Sequence, residues 1–405
     1  MEGIELFAAA IGLKAPWSIQ EIQLERADKE KGELHIFIGH SKRTKFEYEG
    51  EKYSVYDHQD RSWRHLNFFE HECYIHASVP RVKTAKGVKL VEVPWAQPGS
   101  SFTVLFEHHA LNLVHEGMSA ASTGRTLGIS GRRVFHILNR VVSIALANTE
   151  LDQVKEMSLD EVSSRKGHKY LTILTDRKAK KVIGIAEGKN ELSVANALID
   201  MEVRGSERKK VKNITMDMSK SYIRASRNYL PQAAIIFDRF HISKLLNEAV
   251  DQVRREEQLE YSELRKTRYL WLRNNNNLSK KNQEKVFDLS DSFPRIGQAY
   301  RCKELFRAIM NNAYKSHLLR PLKEWMKMAE STGIEPIVKF VKMLKRHWYG
   351  VKTYFKHLAT NALAERMNLK IQEIKRTAKG YRNINNFILM IYFHLGGLNL
   401  NTHYK

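Results

Sequence analysis

Cysteine is almost missing from this chain: of 405 residues only Cys73 and Cys302 carry a thiol. Two thiols build no disulfide framework, and a reducing compartment fits that usage. Long apolar runs are missing as well. The longest, near Val141 to Ala147 and Phe387 to Leu395, fall far short of a membrane span, so no membrane partner is expected. The amino end carries Glu2 and Glu5 before a short apolar run and reads as no signal peptide. Acidic residues are in deficit, 45 Asp and Glu against 67 Lys and Arg, for a formal charge of +22 and a pI near 9.7. That imbalance calls for a polyanionic partner, most simply nucleic acid. The length allows two or three domains.

What is present is best read from Asn213 to Ile242 outward. Asn213 to Met216 is a short strand that stops at Asp217; Ser219 and Lys220 open a helix through Tyr229; Pro231 breaks it; and Ala233 to Phe237 is an apolar run of the kind buried parallel strands show, ending at Asp238. Acids at the C-terminal ends of neighbouring parallel strands sit where α/β sheets place ligands. Asp217 can equally be the cap of the helix that follows.

The first hundred residues read as a small mixed domain. Met1 to Leu13 suits a short helix, and Glu33 to Gly39 and Lys52 to Tyr56 alternate as strands do. Arg61, Trp63, Arg64 and His65 then interleave with Phe68, Phe69 and Tyr74, a pattern shared by nucleic-acid surfaces and by a strand pair with one wet face. His58, His65, His71 and His76 do not fall into a zinc framework. After the Pro98 to Ser101 boundary a helical stripe is expected from Phe102, Leu105, Phe106, His109, Leu113 and Val114. Ala120 to Leu127, a turn at Gly128, and a second helix capped by Ser130 match helix-turn-helix spacing. Arg132, Arg133, His136 and Arg140 are expected on the outer face of that second helix, with Arg125 on the first. DNA binding is favoured over an ordinary helical hairpin because of the overall charge.

From Val154 three strands form an antiparallel meander, followed by a helix over 190–202 and then the Asn213 strand. Asp160 lies on the first of these strands, and the first and fourth can be neighbours. Ile242 onward reads as about a hundred residues of helix, whose charge runs suit solvated faces. Near the carboxyl end Asn361, Glu365, Asn368 and Gln372 share one helical face and Leu363, Met367 and Ile371 another, with Lys375 and Arg376 beyond. Asp160, Asp217 and Glu365 form a constellation suited to two hard divalent ions in phosphodiester cleavage.

Taken together, YDHQDRSWRHLNFFEHECYIHASVPRV, VEVPWA, the helix-turn-helix, LDEVSSRKGHKYLTILTD, ITMDMSKSY, AAIIFDRFH and NALAERMNLKIQEIKRTAKGYRN resemble bacterial ISL3-family insertion-sequence transposases, which are DDE enzymes. The resemblance implies an α+β multidomain chain: an RNase H-like α/β catalytic core with an all-helical insertion, preceded by a degenerate zinc-ribbon-like domain and a helix-turn-helix. The expected segments are 1–100 ribbon-like, 101–150 helix-turn-helix, 151–241 first part of the core, 242–350 insertion and 351–405 the second part with the Glu-bearing helix. It further implies Asp160, Asp217 and Glu365 as catalytic metal ligands for Mg2+ or Mn2+, with Arg125, Arg132, Arg133, His136, Arg140, Lys375 and Arg376 on DNA. Asp238, Arg239, His241, Asn361 and Asn368 are implied as supports. Where paired ribbon cysteines would stand the chain has Phe46, Glu49 and Thr84 to Gly87, so zinc is expected to be unlikely. Double-stranded DNA is the implied partner, a homo-oligomer the implied form when two ends are paired, and the bacterial cytoplasm, at the nucleoid, the implied place. A DNA-binding protein without catalysis and a structure-specific nuclease on the same core are the competing readings.

Overall fold

The computed structural model describes residues 3–25, 32–165, 167–312, 319–357 and 362–400. The chain divides into two compact units, one running to Val141 and the other from Val142 to Leu400. Each is described by itself.

The first unit starts with α1 (Gly3–Ile11) and a six-stranded sheet of β1 (Trp17–Glu25), β2 (Glu33–His40), β3 (Lys45–Tyr48), β4 (Glu51–Phe68), β5 (His71–Thr84) and β6 (Gly87–Leu90). The order is β1-β2-β5-β4-β3, with β6 also on β5. Alternation along the strands sends Ile36, Ile75, Val79 and Trp63 inward, where Trp95 meets Trp17 and Trp63 edge to face. Of the basic and aromatic interleaving, Trp63 and Arg64 are therefore interior: Arg64 donates to the carbonyls of His65 and Cys73 and to Asn67. Phe46 is buried against Trp17, and Glu49 pairs with Lys86 at 2.9 Å. Side-chain packing and one exposed ion pair thus occupy positions where the resemblance looks for cysteines.

Three helices follow, α2 (Val104–His115), α3 (Ala120–Leu127) and α4 (Gly131–Asn148). The expected stripe on α2 is corrected: Phe106, Ala110, Leu111 and Val114 are buried, whereas Leu105 and His109 face out. The reason is the buried Glu107, which takes hydrogen bonds from Ser100 Oγ and Arg140 and so turns its own face of the helix inward.

The second unit holds a five-stranded sheet of β7 (Glu156–Arg165), β8 (Lys169–Asp176), β9 (Lys181–Glu187), β10 (Asn213–Met216) and β11 (Ala234–Phe237), in the order β11-β10-β7-β8-β9. β7, β8 and β9 are the antiparallel meander, and β10 and β11 are parallel to β7 and to each other. Parallel strands need crossovers, supplied by α5 (Glu191–Val203) and α6 (Lys220–Tyr229). The expected adjacency of the first and fourth strands is what the sheet has. From β11 the chain runs through α7 (Arg239–Glu257), α8 (Arg268–Leu272), α9 (Lys280–Ser292), α10 (Pro294–Asn311), α11 (Leu319–Ser331) and α12 (Glu335–Arg346). It returns through α13 (Trp348–His357), packed on β11, α14 (Ala362–Thr377), packed on β7, and α15 (Ile384–Leu395), packed on β9.

Gly350 allows that return. A Cβ placed there would lie 2.3 Å from the Phe237 ring, which is fully buried one residue before Asp238. Overpacking of this kind costs about 1–3 kcal/mol, more than the roughly 1 kcal/mol a helix gains when Gly becomes Ala. Gly350→Ala is expected to lower the urea midpoint of the full chain; an unchanged midpoint would mean that the ring moves aside freely.

Candidate active site

The sheet register assembles the acids. Thr215 on β10 faces Ser158 on β7, and two residues further along both strands Asp217 and Asp160 come level. Met216 faces Phe237 on β11, so Asp238 follows on the same line. Three carboxylates thus stand across three adjacent parallel strands, at the ends of the two shorter ones.

Each is held by local bonds. Asp160 accepts from the Glu161 backbone N–H at 2.8 Å and from Asn368 Nδ2 at 2.9 Å. Asp217 accepts from the Ser219 N–H at 2.9 Å, the local turn bond open to an Asp at this position. Asp238 caps α7 through the Phe240 N–H and binds His241 Nδ1 at 2.8 Å. Met367 and Ile371 bury one side of α14, leaving Glu365 exposed in its first turn. Lys375 donates to the Ser163 carbonyl at 2.9 Å, which fastens the same helix along β7.

Electrostatics tie these groups together. Burial pushes the Asp160 carboxyl up to about 6; the Asp217 charge adds to the push, while the Glu161 N–H, the His241 charge and the Asn368 amide oppose it. The hydrogen bond to Asp238 raises His241, burial works against this, and the charges of Asp238, Asp160 and Asp217 add to the rise. Glu365 is raised by burial and by Asp238, with His241 opposing. Asp160 and Asp217 therefore sense each other, and Glu365 senses Asp238 and His241. Among the described residues no three His, Cys, Asp or Glu side chains close into a ready ion-holding set.

The remaining expected residues are distributed unevenly. Asn361 lies outside the described residues. Arg239 turns to Asn311 at the end of α10. Arg376 is exposed on α14. Glu161, on the same strand as Asp160 but not among the expected site residues, lies 3.8 Å from Lys189; burial raises its carboxyl and the charges of Lys189, His241 and Lys244 oppose the rise.

In the first unit the helix-turn-helix is built as expected. Ser119 caps α3, Gly128 takes the left-handed turn at φ +69°, and Ser130 Oγ accepts from the Arg133 N–H. Arg125, Arg132 and His136 are exposed. Arg133 lies over the Phe102 ring at 4.4 Å and bonds Ser101. The expectation of an outer face is corrected for Arg140, which turns in to the buried Glu107 because that carboxylate has to be paired.

Family models agree with this layout. The DDE transposase model of the ISL3 family matches residues 157–391, more than half of the chain; the helix-turn-helix model of ISL3 transposases matches 91–142; and a zinc-finger model of the IS204/IS1001/IS1096/IS1165 transposases matches 50–83. The chain belongs to the ISL3 transposase family. It is 24% identical to the transposase of IS1557 from Mycobacterium tuberculosis, over 98% of this chain and 96% of that one. To the transposase of IS1001 from Bordetella parapertussis it is 22% identical, over 83% and 85%. The zinc-finger match does not bear out the expectation against zinc. DDE transposases use divalent metal ions, and this ISL3 chain is a DNA-binding enzyme that cleaves and transfers DNA strands. Among the described residues no helix is long and apolar enough to cross a membrane.

The raised Asp160 carboxyl makes a signed prediction. Folded Asp160 keeps its proton to a higher pH than the unfolded chain does, so ionising it costs stability as pH rises from about 4 to about 6. Above that window the cost is fully present. In metal-free buffer at pH 7.5, Asp160→Asn is expected to raise stability by about 3 kcal/mol, an advantage that fades near pH 4. Urea midpoints at both pH values check this, and equal shifts at the two would refute the raised carboxyl.

Proposed function

We propose that the chain mobilises its own insertion sequence: it binds the terminal inverted repeats, cuts to expose 3′ hydroxyls and joins them to target DNA, with Asp160, Asp217 and Glu365 holding Mg2+ or Mn2+. The observation that carries this reading is the level placement of Asp160 and Asp217 on adjacent parallel strands, beside a helix packed on β7 whose Glu365 feels the charges of Asp238 and His241. Carboxylate oxygens are the donors such hard cations take. The Asp160 carboxyl, pushed up by burial and by Asp217, is a group that a cation would return to its ionised form. When bound, the ions would activate the attacking water and stabilise the leaving oxygen.

The chain's own residues prepare that chemistry. Asn368 and the Glu161 N–H fix the Asp160 carboxylate, and the Ser219 N–H fixes that of Asp217. Asp238 engages His241 Nδ1 and so fixes the orientation of the ring. The meander followed by two parallel strands, β11-β10-β7-β8-β9, supports an RNase H-like core, with α7 to α12 as its helical insertion. We assign 1–100 as ribbon-like, 101–150 as the helix-turn-helix, 151–241 and 351–405 as the two parts of the core, and 242–350 as the insertion. Arg125, Arg132, Arg133 and His136 contact the element ends, and Lys375 and Arg376 the flank of the site. Pairing two ends brings two copies together in the bacterial nucleoid.

Two substitutions test the reading on a plasmid carrying the element's ends. Asp160→Asn is expected to abolish metal-dependent cleavage while end binding in a gel shift persists; normal cutting by this variant would remove the triad assignment. Arg132→Ala is expected to weaken end binding by about 1–3 kcal/mol, and unchanged binding would take α4 out of the groove.

A further inference from the structure

The catalytic unit carries a second cationic feature, away from the carboxylates. β7 ends at Arg165, opposite Lys169 at the start of β8, and this turn lines an open pocket together with Arg382 and Asn383 at the entry to α15. Arg165, His168, Lys169 and Arg382 give the pocket its cations and Tyr170 an aromatic wall. Glu187 is the one carboxylate among the described lining residues. Arg165 is set in place by its Nε, which donates to the Tyr381 carbonyl at 3.2 Å and uses one of its five N–H donors. His168, Lys169 and Arg382 are exposed. Among the described residues no carboxylate lies within ion-pair distance of Arg165, Lys169 or Arg382, although acids pair with arginines and lysines elsewhere in this unit, as at Arg208 and Lys345.

The pocket lies along the strand that carries Asp160. Arg165 follows Asp160 by five residues, with a bulge between Ser163 and Arg165, about 13–16 Å at roughly 3.3 Å per residue. Lys375 bonds the Ser163 carbonyl within that interval, and Lys189 lies 3.8 Å from Glu161 on the other face of the strand. One strand of duplex DNA rises about 3.4 Å per phosphate, so that length spans about four to five nucleotides.

We propose that this pocket is a second, sequence-independent phosphate site, which grips the DNA backbone about four to five nucleotides from the bond being cut and aligns that flank with the carboxylates. The inference rests on the catalytic reading of Asp160 and Asp217. As a backbone site it acts on affinity and alignment for every sequence alike.

The test uses the full chain with Lys169→Glu and Arg382→Glu combined, and with Lys169→Gln and Arg382→Gln as a milder pair of exposed changes. Binding to a duplex bearing the element's end is measured across salt concentrations without divalent metal. The slope of log affinity against log salt is expected to fall by about two. With Mg2+, cleavage should drop about tenfold, a change of about 1.4 kcal/mol in the barrier. Neutral methylphosphonates placed about four to five nucleotides from the cut should slow the unsubstituted protein similarly and cost the doubly substituted one nothing more. An unchanged slope in both pairs, or equal methylphosphonate effects in all proteins, overturns the proposal. A native chain that binds but never cuts would overturn the catalytic reading instead, and the salt slope would still decide the pocket.

Discussion

The parallel pairing of β10 with β7 is the constraint on which the catalytic unit depends. Both strands have buried neighbours on either side, and Met157, Ile214, Met216 and Phe237 are fully enclosed. A slip of one residue would swap Met157, Ile214 and Met216 to the opposite face of the sheet, against neighbours they do not fit, and move Asp217 off the level of Asp160. The hydrophobic core therefore fixes the spacing of the acids. The cost is electrostatic, because burial and a neighbouring charge both resist ionisation of Asp160. His241, the Asn368 amide and the Glu161 N–H offset part of it, so the groups around the acids are there to make their crowding tolerable.

A comparable constraint governs the helix-turn-helix. Glu107 is fully buried and paired with Arg140 and Ser100. Removing one partner of a buried pair costs about 3–5 kcal/mol, since the other charge is left uncompensated. That pair locks α2 to the middle of α4 and sets which side of α4 faces outward. Arg132 and His136 stay exposed while Arg140 is taken up by Glu107.

These cases separate what was legible from what was not. Strand, helix and strand over Asn213 to Phe237, and the acids that end both strands, could be read because local signals agreed: β-leaning runs, Pro231, and apolar continuity. The neighbouring of β7 and β10 also followed from the order of the elements. Arg140 could not be assigned, since its partner is 33 residues away and a helical wheel places it with the outward arginines. Trp63 and Arg64 looked like a wet basic and aromatic face, yet Trp95 packs against Trp63 and Phe106 of α2 against Arg64. The coupling of Glu365 to Asp238 and His241 was equally hidden, because about a hundred residues of helix lie between them in the chain.

That separation has a consequence for how the site forms. Asp160, Asp217 and Asp238 are placed by strand register and exist as soon as the sheet does. Glu365 is placed by docking a helix. α14 holds to β7 through Met367 and Ile371, whose burial contributes about 1.5–3 kcal/mol each, and through two polar bonds, Asn368 to Asp160 and Lys375 to the Ser163 carbonyl. One of those bonds ends on the Asp160 carboxylate itself. Seating α14 therefore both delivers the third acid and orients the first, while α13 must first pass Gly350 over Phe237 to bring the chain back. The insertion's return path and the carboxylate geometry are one mechanical problem, and its solution runs through the few residues where α13 and α14 touch β11 and β7.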